Sequence, residues 1–164
     1  MSLSAQPDND LCANAIPLCV GEVYDGTTLN ATTSGSDPID CFTPTASVWY
    51  SFTTNALGGS VTIDFTDLVF NPDPTFGQTL EAFFFETAGD CDAAPYTPFS
   101  DCGSGGVAFN INELILLAPN TTYFVMVNGA IDGALNPAEC DFKISISGSA
   151  VTFPDPTVTI NALD

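Results

Sequence analysis

Carboxylates and cysteines are the residue types of this chain that could carry chemistry. Its 164 residues include 20 Asp and Glu but a single basic side chain, Lys143, and no His. Clustered carboxylates are hard oxygen ligands of the kind that Ca²⁺ prefers, which makes Ca²⁺ a candidate cofactor. The alternative is that the acidic side chains are spread over a solvated surface and serve solubility.

Most of the side chains used in catalysis are missing. Ser and Cys nucleophiles have no His or Arg to assist them, and Lys143 falls on a predicted strand. A pair of carboxylates could still act as in glycosidases. The acidic residues available for such a pair are Asp64, Glu81, Glu86 and Glu113. Because acidic residues occur throughout the chain, they do not mark an active site, and we predict no catalytic residue.

The net charge of −19 excludes two classes of partner. Nucleic-acid binding requires Lys and Arg to neutralise phosphates, and this chain cannot supply them. Anionic membrane surfaces are excluded for the same reason. The apolar run 115–118 is too short to cross a bilayer, so we also expect no membrane insertion.

The cysteines indicate a secreted protein. Their number is even, no CxxC motif occurs, and zinc would lack His ligands, so disulfides in an extracellular or cell-surface protein are the better interpretation. The pair Cys91–Cys102 would close a short loop. The other four cysteines allow three combinations, of which we favour Cys19–Cys41 with Cys12–Cys140.

Short segments rich in Val, Thr and Phe, separated by turn residues, predict an all-β sandwich or barrel. The central strand is placed at Ser47–Thr54. In it Val48, Tyr50 and Phe52 would face one way and the only tryptophan, Trp49, the other, so we expect both faces to be buried.

The predicted domain occupies residues 7–148. Residues 1–6 are interpreted as an expression start or the remnant of a signal peptide. Residues 149–164 begin a new Val/Thr alternation after two prolines, and form either a linker or the final strand.

Five motifs in this order resemble the bacterial pre-peptidase C-terminal domain family. The chain is most similar to the cysteine-containing versions in secreted and surface proteins of the Bacteroidetes type, over residues 8–148. The motifs are Asn9–Leu18, Val48–Phe52, Cys91 with Cys102 around a short turn, Leu117–Val127, and Phe142–Ile146.

The resemblance implies a jelly-roll-like antiparallel β-sandwich without catalysis of its own. Members accompany secreted proteases, other hydrolases and adhesins, and some bind collagen or polysaccharide. Relatives of the collagen-binding domains hold Ca²⁺ between the N-terminal segment and the loop before the aromatic strand. The matching positions are Asn9, Asp10, Ser36, Asp37 and Asp40, although the insertion 41–46 departs from the family pattern.

The predicted function is a non-catalytic extracellular module of a larger secreted or surface protein. It would act in adhesion or in binding a polysaccharide or protein surface, beside other modules of the same polypeptide. The alternatives are a structural spacer without a ligand and, last, a small carbohydrate-active enzyme. Aromatic side chains in or near loops could stack on sugars or instead pack beneath the loops: Tyr24, Phe76, Tyr96 and Phe99.

Overall fold

Ten short strands form two stacked sheets in the computed structural model, which describes residues 5–87, 90–91 and 95–152. The predicted antiparallel β-sandwich is confirmed. A 3₁₀ turn, Cys12–Asn14, is the one helical element in these ranges. The strands are β1 Ile16–Pro17, β2 Val23–Thr27, β3 Ser47–Thr53, β4 Thr62–Phe70, β5 Leu80–Thr87, β6 Tyr96–Pro98, β7 Gly103–Gly105, β8 Phe109–Asn112, β9 Thr122–Gly129 and β10 Cys140–Ser147.

One sheet has six strands and the other has four. The six-stranded sheet runs β1-β3-β9-β5-β6, with β7 also paired to β5, and the four-stranded sheet runs β2-β10-β4-β8. The β1–β3 pairing is parallel and the other pairings are antiparallel. No helix in the described ranges is long and apolar enough to cross a membrane.

The inter-sheet core follows from the period-two alternation in the sequence. Ile63 and Phe65 of β4 and Ile144 of β10 are fully buried. Asp64, between the two buried β4 residues, and Lys143, next to Ile144, point to the outer face. A side chain of this size stabilises the fold by roughly 1.5–3 kcal/mol when it is completely buried. The burial of both strands therefore follows the alternation of apolar and polar residues in the sequence.

The six-stranded sheet is buried on its outer face as well. Val48, Tyr50 and Phe52 of β3 point into the inter-sheet core, whereas Trp49 points away from it. Trp49 is 1 % exposed and packs edge-on against Phe85 with 5.9 Å between ring centroids. This second cluster, here the outer core, consists of Cys12, Trp49, Phe83, Phe85, Cys91 and Met126.

The segment after β10 returns to the sandwich. Ala150 and Val151 are buried in the inter-sheet core. The Asn55 amide donates to the carbonyls of Ser149, at 2.8 Å, and Thr152, at 2.7 Å. Residues 149–152, predicted as the start of a linker or final strand, thus pack against the sandwich. Residues 153–164, like residues 1–4, lie outside the described ranges.

Candidate functional site

Two disulfides fasten the segments that cover the outer core. Cys12 is bonded to Cys91 and Cys41 to Cys102, with Cα–Cα separations of 5.9 and 5.5 Å. The first joins the N-terminal segment to the loop after β5. The second joins the loop before β3 to the start of β7. Together the two disulfides link the N-terminal segment and the loop before β3 to the part of the chain that follows β5.

The predicted pairings were wrong, because Cys91 and Cys102 are each bonded to another cysteine. β6 pairs with the end of β5 and β7 with its beginning, so the chain runs back along the same strand edge. Cys102 thus lies level with Phe83, whereas Cys91 is bonded to Cys12 in the outer core.

The other two cysteines are free. Cys140 is buried in the inter-sheet core, whereas Cys12 belongs to the outer core on the opposite face of the six-stranded sheet, so the predicted Cys12–Cys140 bond is not formed. Burial raises the pKa of the Cys140 thiol to about 12. Cys19 is exposed, and its predicted partner Cys41 is bonded elsewhere.

Asn9 and Asp10, two of the expected Ca²⁺ ligands, are buried, and their side chains are hydrogen-bonded to other residues. The Asn9 side chain donates to the Trp49 backbone carbonyl at 2.9 Å, and the backbone carbonyl of Asn9 accepts from the Trp49 N–H. Both Asp10 carboxylate oxygens accept from Thr32, one from its N–H at 2.6 Å and the other from its hydroxyl at 2.7 Å. These contacts attach the N-terminal segment to β3 and to the loop that precedes it.

The remaining expected ligands stabilise or flank a local turn. Asp37 accepts from the Ser34 hydroxyl at 2.7 Å and the Ser34 N–H at 3.1 Å. The Ser36 carbonyl accepts from the Tyr96 hydroxyl, and Asp40 is exposed. Within residues 5–87, 90–91 and 95–152 no three His, Cys, Asp or Glu side chains are grouped to hold a metal. The Ca²⁺ site that the resemblance implies therefore stays a prediction.

The four acidic residues considered for glycosidase chemistry lie in different places. Asp64 points outward from the four-stranded sheet, and Glu81 points outward from the six-stranded sheet. The Glu113 carboxylate accepts from the Val61 N–H at 2.8 Å. Glu86 is two residues after Phe84 in β5 and therefore lies on the same face of the sheet as Phe84, which is opposite to the face of Glu81.

Three of the four aromatic candidates are held by protein contacts. Tyr96 packs edge-on against Phe85 at 5.2 Å, and Phe99 packs against Tyr123 at the same centroid distance. The Tyr24 hydroxyl accepts from the Cys19 N–H at 3.1 Å. These three rings pack against the sandwich, and Phe76 is half-buried beside a short bridge to Asn136.

A shallow cleft lies on the outer face of the six-stranded sheet beside the outer core. We call it the Glu81 cleft. Its volume is about 300 Å³. Its walls combine an aromatic ring, two carboxylates and three threonines, which is a mixture suited to a polar ligand with apolar faces. The lining residues are Phe42, Thr43, Thr45, Thr79, Glu81, Ala130, Ile131 and Asp132.

A fully buried amide fixes the Glu81 carboxylate. Asn128 Oδ1 accepts from the backbone N–H groups of Thr45, at 2.8 Å, and Ala46, at 3.0 Å. The amide orientation is therefore determined, and its Nδ2 donates to Glu81 Oε2 at 3.0 Å. Among the described residues no donor reaches Oε1, which leaves that oxygen as an acceptor at the cleft.

Asp132 and Phe42 also line the Glu81 cleft, and both are held by protein contacts. Asp132 accepts from the Thr79 hydroxyl at 2.6 Å and from the Gln78 N–H at 3.1 Å. Phe42 follows the disulfide-bonded Cys41, and its half-buried ring packs edge-on against Phe83 at 5.4 Å. The ring thus contacts the outer core and also lines the cleft.

Sequence reasoning missed most of this site. Glu81 was considered only as a catalytic acid, and Phe42, Asn128 and Asp132 were not singled out. One signal was present: Asn128 ends the apolar run of β9, where a buried polar side chain needs a partner. The chain matches no protein-family model, and no curated protein is found to be similar. The pre-peptidase C-terminal resemblance therefore stays a prediction.

Proposed function

We propose that the protein is an extracellular, non-catalytic, jelly-roll-like module of a larger secreted or surface protein. In this role it binds a polysaccharide or protein surface and is joined to other modules of the same polypeptide. Two disulfides support the location, since such bonds persist in oxidising compartments outside the cytoplasm.

The observation that carries the binding role is the fixed geometry of the Glu81 cleft. Asn128 is fully buried and orients Glu81, while the Cys41–Cys102 bond restrains the segment that presents Phe42. Preorganised side chains lose little conformational entropy when a ligand binds. A spacer without a ligand has no need for an oriented carboxylate beside a restrained aromatic ring.

Retention on immobilised protein tests the proposal. The folded chain is coupled to a support and exposed separately to soluble polysaccharides and to extracellular matrix proteins, with reduced and alkylated chain as the control. We expect the folded chain alone to retain at least one of them. Retention of none would favour the structural spacer, and release of shortened sugar products would indicate an enzyme.

A further inference from the structure

We infer that the Glu81 cleft binds a neutral pyranose unit of a polysaccharide, with Phe42 beneath the sugar ring and Glu81 and Asp132 accepting from its hydroxyls. This inference rests on the proposed binding function and specifies its ligand. It follows from the chemistry of the side chains that line the cleft.

The acceptor groups of the cleft match a ligand rich in hydroxyl donors. Oε2 of Glu81 is occupied by Asn128, and no described residue donates to Oε1. Asp132 is exposed and accepts hydrogen bonds from Thr79 and Gln78, which fix its position in the cleft lining. A carboxylate forms strong hydrogen bonds with hydroxyl groups, and two such groups can fix the orientation of a sugar.

An aromatic ring supplies the apolar contact that a pyranose needs. The face of a sugar ring that carries C–H groups packs well on an aromatic side chain. The Phe42 ring is half-buried, and its edge-on contact with Phe83 holds it in place. Ile131, 39 % exposed, extends the apolar surface at the same cleft.

Charge decides between neutral and acidic sugars. The chain carries a net charge of −19, and no cationic side chain lines the cleft. Lys143, the only lysine of the chain, lies on the four-stranded sheet and forms an ion pair with Asp25 at 2.7 Å. Uronic or sulfated polymers would therefore be repelled, because the cleft offers them no counter-charge. A neutral sugar avoids that repulsion.

The test measures binding of soluble polysaccharides by calorimetry and affinity electrophoresis. The panel contains three neutral polymers, a β-glucan, a mannan and a galactan, together with a polyuronate and the cationic polymer chitosan. The variants are Phe42→Ala and Glu81→Gln, and Asp64→Asn on the opposite sheet is the matched control. The melting temperature of each variant is measured alongside, so that misfolding is recognised.

We expect at least one neutral polymer to bind, with the polyuronate not binding. Phe42→Ala and Glu81→Gln should weaken binding at least tenfold, and Asp64→Asn should leave it unchanged. Glu81→Gln keeps the side-chain shape and an acceptor for Asn128, so its loss of binding would report the missing charge and not a collapsed cleft.

Three results would overturn the inference while leaving the proposed function intact. Neutral-polymer binding that survives both cleft variants would place the site elsewhere. Binding of chitosan alone, abolished by salt, would make the cleft a cation site. Binding of a matrix protein without any polysaccharide would identify the wrong ligand class. If the chain retains neither sugars nor proteins, the proposed function fails together with the inference.

Discussion

The Tyr50 hydroxyl fills the space that a side chain at Gly26 would occupy. A Cβ placed on Gly26 would overlap this hydroxyl and the ring of Phe142. Tyr50 belongs to the six-stranded sheet and Gly26 to the four-stranded sheet, so this contact joins the two layers. The hydroxyl is fully buried, and although the Asn9 side chain lies near it, no hydrogen bond of normal geometry is formed with it among the described residues. Close packing of the layers was therefore achieved without satisfying this polar group.

Gly26→Ala should destabilise the fold. The added methyl has no space, and overpacking of this kind typically costs about 1–3 kcal/mol. Gly35→Ala is the matched control, because nothing lies within 4 Å of a Cβ at that position. Urea unfolding should show a lower midpoint for Gly26→Ala and a nearly unchanged one for Gly35→Ala. Equal midpoints for the two variants would show that the sheets are not packed this tightly at Gly26.

Tyr50→Phe should leave stability unchanged or raise it by about 1 kcal/mol. The substitution removes a buried hydroxyl that has no partner, and so removes a desolvation cost without losing a hydrogen bond. Tyr123→Phe is the contrasting variant, because the Tyr123 hydroxyl accepts from the Ala118 N–H at 3.2 Å. That variant should lose about 1 kcal/mol. Equal losses in thermal unfolding of both variants would reveal a partner for the Tyr50 hydroxyl.

The folded state should lose stability in alkaline solution. Burial raises the pKa of Tyr50 to about 12 and that of the Cys140 thiol to about 12. In the unfolded chain these groups titrate near pH 10 and pH 8.5. Because both folded pKa values are raised, their contribution is complete below the unfolded pKa and is lost as pH rises towards 12.

Urea unfolding between pH 8 and pH 11 measures this loss. Wild-type stability should fall by up to about 1 kcal/mol per pH unit for each group that titrates only in the unfolded chain. Cys140→Ala should make the free energy of unfolding less dependent on pH between pH 8.5 and 10. Tyr50→Phe should make it less dependent on pH above pH 10. A Cys19→Ala control, at an exposed position, should keep the wild-type slope.

The period-two patterns in the sequence were sufficient to locate the main strands. Alternation in β4 and β10 places Ile63, Phe65 and Ile144 inside, and the aromatic composition of β3 shows that both of its faces are buried. These are local properties, because successive side chains of a strand point to opposite faces. The sandwich could therefore be predicted without long-range information.

The disulfides and the Glu81 cleft depend on how distant segments are brought together. Cys12 and Cys91 are 79 residues apart, and Asn128 reaches Glu81 and Thr45 from a third segment. Short sequence separation favoured Cys91–Cys102, but the disulfides join cysteines that are 79 and 61 residues apart. Such pairings follow from strand order and register, which a single sequence does not specify.

Thiol titration should distinguish the two sets of disulfide pairings. In native protein, one thiol, Cys19, should react with a disulfide reagent such as dithionitrobenzoate, and Cys140 should react only after unfolding. Cys19→Ser should abolish the native reaction. Non-reducing peptide mapping should then recover Cys12 linked to Cys91 and Cys41 linked to Cys102. Protein with no reactive thiol even after unfolding would instead support three disulfides.

Asp10→Ala should destabilise the fold by about 2 kcal/mol, and the loss should be independent of Ca²⁺. The variant removes two hydrogen bonds from a buried carboxylate to Thr32, each assisted by its charge. Asp8→Ala is the control, because Asp8 is an exposed neighbour in the same segment. Thermal unfolding in Ca²⁺ and in chelator should give the same difference between wild type and Asp10→Ala. If Ca²⁺ instead raises the melting temperature of wild type and not that of Asp10→Ala, Asp10 is a metal ligand, and the Ca²⁺ site implied by the family resemblance is present.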